Sequence, residues 1–147
     1  MATRIGTTFL LSPKDPAATA PFVAPNGALV AAKERRTKEI FTTAGEVATD
    51  KLFLGTIPRG GSFAAIELTT DTTLGSSTLA IGTLASAALF AAAATLTATD
   101  TPTRRGKASA KALPPMTEDT DVYATVAAAT LPTGAVLVSE LCFTTVT

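Results

Sequence analysis

Apolar and polar residues alternate in short runs over most of this chain, separated by clusters of glycine, proline and threonine. Residues 63–68 set the pattern. In an extended strand, Ala64, Ile66 and Leu68 share one face, and Phe63, Ala65 and Glu67 share the other. A turn at Ile57-Pro58-Arg59-Gly60-Gly61 leads into this run, because proline fixes φ and the glycines tolerate positive φ. A second turn at Thr73-Leu74-Gly75-Ser76-Ser77 leads into a second run at residues 78–82, so the stretch reads as strand, turn, strand. Further strands are expected at residues 39–43, 50–54, 121–130 and 135–147. Within residues 121–130, Val122, Ala124 and Val126 alternate with Tyr123, Thr125 and Ala127. Leu131-Pro132-Thr133-Gly134 repeats the aliphatic-proline-polar-glycine pattern of the turn at 57–60, which points to two similarly entered hairpins or sheet edges.

Two segments depart from the strand pattern. Residues 28–38 suit a short helix carrying the mixed-charge cluster Lys33-Glu34-Arg35-Arg36. Ser86 is placed as the N-cap of another helix running into the four alanines after Phe90, since alanine is the best helix former. Leu89 and Phe90 are expected in the core or in a subunit contact. With no alternation of strands and long helices, the fold class is mainly β: a single antiparallel β-sandwich or jelly-roll-like barrel, with an extended N-terminal arm and one short helix.

The arm is assigned to residues 1–37 and the β domain to residues 38–147. Prolines at 13, 16, 21 and 25 exclude a long helix or central strand from the arm. Its apolar clusters, Phe9, Leu10 and Leu11, then Phe22 and Val23, then Leu29 and Val30, are candidates for contact with a partner or a neighbouring subunit, with packing on their own domain as the alternative. Arg104 and Arg105, in the exposed polar loop at residues 100–107, join them as contact candidates able to meet a phosphate or an acidic partner. A second loop, residues 113–121, combines Pro114-Pro115 with Glu118, Asp119 and Asp121. Its spacing lacks the glycine and distal glutamate of an EF-hand, so no metal site is assigned.

Composition narrows the function. Alanine and threonine make up about two-fifths of the 147 residues, tryptophan is absent, and the aromatic fraction is 5%. Such a composition predicts a core of small side chains and a modest margin of stability for the isolated monomer, which favours assembly. Twelve basic residues balance twelve acidic ones, so no net field recruits nucleic acid or a membrane. No histidine is present, which removes the Ser-His-Asp arrangement and the usual zinc ligand sets. No phosphate cradle or dinucleotide fingerprint is found, and no cofactor is assigned. Glu67 and Glu140 are the strand carboxylates that a glycosidase would need to oppose. The reading is nevertheless non-enzymatic, with no catalytic residue assigned. Cys142, between Leu141 and Phe143, reads as a small buried hydrophobe. The N-terminus lacks the pattern of a secretory signal, so synthesis in a host cytoplasm is expected.

Three segments carry a resemblance: Lys51-Leu52-Phe53-Leu54-Gly55-Thr56-Ile57-Pro58-Arg59-Gly60, Leu74-Gly75-Ser76-Ser77-Thr78-Leu79-Ala80-Ile81-Gly82-Thr83, and Asp121-Val122-Tyr123-Ala124-Thr125-Val126. Over residues 44–147 the chain resembles small virion structural proteins of tailed bacteriophages. That resemblance implies a head-associated structural protein, a capsid decoration or cement protein on the capsid surface. Its partners would be the major capsid protein and sister copies in a homo-oligomer such as a trimer, with no nucleic acid or membrane partner. A tail, neck or fibre-attachment component is the alternative within a virion, and a carbohydrate-binding β module or a sandwich hydrolase using Glu67 and Glu140 are the alternatives outside it.

Overall fold

The computed structural model describes residues 33–145. They form eight strands and one helical turn: β1 (Lys33–Ala44), β2 (Lys51–Ile57), β3 (Ser62–Thr70), β4 (Thr78–Gly82), β5 (Ala91–Thr95), β6 (Thr103–Arg105), α1 (Ala108–Lys111), β7 (Thr120–Ala127) and β8 (Thr133–Thr145). The first sheet has the order β1-β8-β3-β6 and the second the order β2-β7-β4-β5. Every ladder is antiparallel.

The pairings explain this order. β1 pairs with β8, β2 with β7, β3 with β6 and β4 with β5, as in one long hairpin with its tip between β4 and β5. Rolling that hairpin places successive strand pairs alternately in the two sheets, and the roll is closed by the β3–β8 and β4–β7 ladders. The result is an eight-stranded jelly roll. The fold is therefore the sandwich that the strand spacing predicts, but its connections differ from the hairpins expected. β3 and β4 do not pair; they lie in different sheets, and residues 71–77 cross between them.

The two proline-glycine segments mark corresponding sheet-to-sheet crossings of the roll, although Gly134 stands as the second residue of β8 and not in the turn itself. Residues 58–61 carry the chain from β2 in the second sheet to β3 in the first, and residues 128–132 carry it from β7 to β8 in the same sense. Gly60 and Gly134 adopt almost the same left-handed φ, +82° and +84°, which side chains with a Cβ rarely take.

Alternation places Leu, Ile, Val and Phe between the sheets. Leu54, Ile66, Leu68, Ile81, Val122, Leu137 and Leu141 are all fully buried, and Phe63 stacks on Phe90 with ring centroids 4.7 Å apart. Each such side chain contributes about 1.5–3 kcal/mol on burial. The small-residue core expected from composition is thus corrected: large aliphatic residues build it, alanine fills gaps at positions 91, 124 and 135, and the alanines at 92–94 are exposed.

Three local expectations also change. Residues 33–38 are strand, because β1 runs along β8 from Lys33↔Thr145 to Ala44↔Thr133, and this pairing overrides the helix propensity of the charged cluster. The alanines after Phe90 form β5 rather than a helix, held by pairing to β4; Ser86 lies in a turn, donating its backbone N–H to Thr83 Oγ1. In β3, a bulge between Phe63 and Ala65 inserts Ala64 and turns Phe63 to the same face as Ile66 and Leu68. Strict alternation had put it on the other side.

Candidate binding surfaces

The outer face of the first sheet is a lattice of charges. The register aligns Lys38 of β1, Glu140 of β8, Glu67 of β3 and Arg104 of β6 in one row across all four strands. Arg36, one pair along β1, donates to Glu140 at 2.9 Å and to Glu34 at 3.3 Å, and Arg104 lies 3.9 Å from Glu34. The bond to Glu140 is the largest reason that the Arg36 guanidinium holds its proton even more tightly than usual. Glu67 and Glu140 do oppose each other, as register partners, but on an outer sheet face where Glu140 is held by Arg36.

Cys142 is fully buried, as the sequence suggests, yet it lies outside the inter-sheet core. It sits on the outer face between Ala65 of β3 and Arg36 of β1, within the field of Arg36, Glu34 and Arg104. Burial is the main cause that pushes its thiol above the ordinary range, with Arg36 acting in the opposite direction.

Arg104 and Arg105, expected together on a loop, form β6 and point opposite ways. Arg104 stands on the charged outer face. Arg105 turns inward, and its Nη2 donates to the carbonyl of Leu79 at 2.8 Å and to that of Ala92. These carbonyls flank the bulge in the β4–β5 ladder, so Arg105 ties the first sheet to an irregular edge of the second. Partial burial holds its guanidinium below its ordinary value. Phe9, Leu10, Leu11, Phe22, Val23, Leu29 and Val30 lie outside the described residues.

The outer face of the second sheet differs in character. Phe53 of β2 and Tyr123 of β7 are register partners and meet edge-on, 5.6 Å between centroids, while Gly82 of β4 flanks Tyr123 on its other side. Phe53 is 41% exposed and Leu84, in the turn after β4, is 66% exposed. Leu84 and Tyr123, with Thr83 and Ala85, line a shallow cleft of about 290 Å³ whose opposite wall is Glu118, Asp119, Thr120 and Asp121. Gly82 makes this geometry possible: a Cβ there would stand 2.0 Å from the Ser86 carbonyl oxygen, so only glycine lets the turn fold down beside β4.

The acidic wall is fixed in place. The N–H of Gly60 donates to the Met116 carbonyl and the N–H of Met116 to that of Gly61, each at 2.8 Å, binding the 113–119 loop to the corner after β2. Asp119 accepts from the Arg59 N–H at 2.8 Å, and Asp121 from the Thr56 hydroxyl at 2.7 Å. Among the described residues none of Glu118, Asp119 and Asp121 has a cationic partner; all three ion pairs lie on the other sheet. No group of three or more Cys, Asp or Glu among the described residues is placed to hold a metal ion.

Sequence reasoning missed this patch. Parity along residues 121–130 already put Tyr123 opposite the buried valines, but its meeting with Phe53 depends on the β2–β7 pairing, which crosses the whole chain.

No family model matches the chain, and no curated protein sequence matches it. Solved structures do share its fold. A chain of the capsid of Ralstonia phage GP4 superposes with TM-score 0.62 at 19% identity, over 77% of this chain and 84% of that one. A chain of the cyanophage Pam1 capsid superposes with TM-score 0.60 at 16% identity, over 78% and 84%. In fold, this jelly roll is similar to chains that stand in phage capsids.

Proposed function

We propose that this protein is a structural component of a phage virion, a decoration protein that binds the major capsid protein on the outer capsid surface as a homo-oligomer. The observation that carries the reading is the shared jelly roll, which spans most of both partners in each comparison. The matched capsid chains are close to this one in size, since similar fractions of each are covered, and a domain this small suits an auxiliary component better than a shell subunit. The surfaces support a role in assembly. One outer face carries the ion pairs of Arg36 and Arg104, and the other presents exposed aromatic and aliphatic groups beside carboxylates with no cationic partner among the described residues. The N-terminal arm, with Phe9, Leu10 and Leu11 in its first half, adds contact area to a small domain and makes attachment multivalent across a lattice.

Sedimentation of purified protein with assembled heads tests this reading. Saturable binding at hundreds of copies per head is expected. A ring of copies at one vertex would replace decoration with the neck, tail or fibre-attachment alternative, and absence of binding to heads would remove the virion reading. Removing residues 1–32, which spares β1, should leave the jelly roll folded and weaken attachment.

A further inference from the structure

We infer that the acidic aromatic patch on the second sheet is the seat of residues 4–14 from the N-terminal arm of a neighbouring copy. The patch specifies its occupant. Phe53, Tyr123 and Leu84 present an apolar platform, and Glu118, Asp119 and Asp121 form a rim without cationic partners among the described residues. A matching segment must be apolar, free of acidic residues and positively charged at its ends.

Residues 4–14, Arg4-Ile5-Gly6-Thr7-Thr8-Phe9-Leu10-Leu11-Ser12-Pro13-Lys14, meet this description: two cations bracket Ile5, Phe9, Leu10 and Leu11, with no carboxylate between them. Elsewhere in residues 1–32 the only other charge is Asp15, so the chain's other arm clusters, Phe22-Val23 and Leu29-Val30, lack the complementary charge.

Reach selects a neighbouring copy. Lys14 precedes the first residue of β1 by 19 positions, a span of roughly 60 Å when extended at about 3.3 Å per residue. A domain of this size has a radius of gyration of only about 14 Å, so the arm is long enough for its charged part to reach past its own sandwich to the next one. This inference deepens the arm's role in the assembly reading. It is tested without particles, so its failure leaves the head-binding result untouched.

The test uses the full chain. Equal amounts of ¹⁵N-labelled and unlabelled protein are mixed and treated with a carbodiimide, which joins a lysine amine directly to a carboxylate in contact with it. Cross-links from Lys14 to Glu118, Asp119 or Asp121 carrying one labelled and one unlabelled peptide are expected. In sedimentation velocity, Leu84→Glu and the double variant Arg4→Glu/Lys14→Glu should each weaken self-association at least tenfold. Ile40→Glu, at a site 63% exposed on the other sheet, should leave it unchanged and serves as the control for a generic surface charge. Cross-links found only within single copies, or no cross-link to the acidic rim, would overturn the assignment. So would Leu84→Glu protein that associates like the wild type.

Discussion

The two outer faces of the sandwich use charge in opposite ways. On the first sheet, Arg36, Glu34, Glu140 and Arg104 satisfy one another within the chain and lie over a buried thiol. On the second, Asp119 and Asp121 are anchored by the Arg59 N–H and the Thr56 hydroxyl, and they and Glu118 have no cationic partner among the described residues, beside aromatic and aliphatic groups that water covers poorly. A face whose charges are paired at home gains little from a partner, because a newcomer must break pairs as it makes them. A face whose charges are held in position but unpaired gains the whole Coulomb term and loses exposed apolar area. Net charge conceals the contrast, since the chain sums to zero.

The largest expected effect comes from Gly82, the residue that lets the turn carrying Leu84 close beside Tyr123. Gly82→Ala should cost about 3 kcal/mol, because the new methyl meets backbone that cannot rotate away. A shift of the denaturant midpoint measures it, and an unchanged midpoint would show that the turn moves freely.

Phe53→Ala compared with Ile40→Ala tests the contrast between faces directly. Both sites are exposed and both variants should remain folded, but only Phe53→Ala should weaken self-association, by about 1.4 kcal/mol or tenfold in sedimentation. Equal effects from the two variants would erase the distinction.

The buried thiol makes a pH-dependent prediction. Its folded-state pKa lies above the ordinary thiol range because of burial, so the neutral form is favoured by folding. The associated stability is complete below the unfolded pKa and is lost as pH rises through the folded one. Wild-type protein should therefore lose stability relative to Cys142→Ala from about pH 8.5 upward, which melting curves at a series of pH values will show. Parallel curves for the two proteins would mean that the thiol is solvated.

The smallest effect concerns the roof over that thiol. Arg36→Ala should barely move the melting temperature, as exposed ion pairs contribute little, but it should speed reaction of Cys142 with a thiol reagent several-fold.

Much of the fold is legible locally. The strand at Thr78–Gly82 follows from its apolar run between turn residues, and β7 from its period of two. The corner at Gly60 follows from proline and glycine alone, because proline fixes φ and glycine tolerates positive φ whatever their surroundings. Where local preference and pairing conflict, pairing decides. Alanines at 91–94 prefer a helix, yet β4 offers them a ladder; Lys33 to Lys38 do likewise, yet β8 runs beside them. Phe63 entered the core through a one-residue bulge, a feature set by its partner strand.

The candidate site is less legible for the same reason. The sequence by itself determined a β-rich chain with proline-glycine corners, one alternating strand that faces Tyr123 outward, and an arm whose first segment is apolar and cationic. Only the tertiary structure decided that the strands pair as a rolled hairpin, that Arg105 turns inward while Arg104 stays out, and that Phe53, Tyr123, Leu84 and the acidic loop share one surface. Parity and turn chemistry act between neighbouring residues and can be read in order. The patch joins residues from 53 to 123, and their meeting depends on ladders that no local pattern encodes.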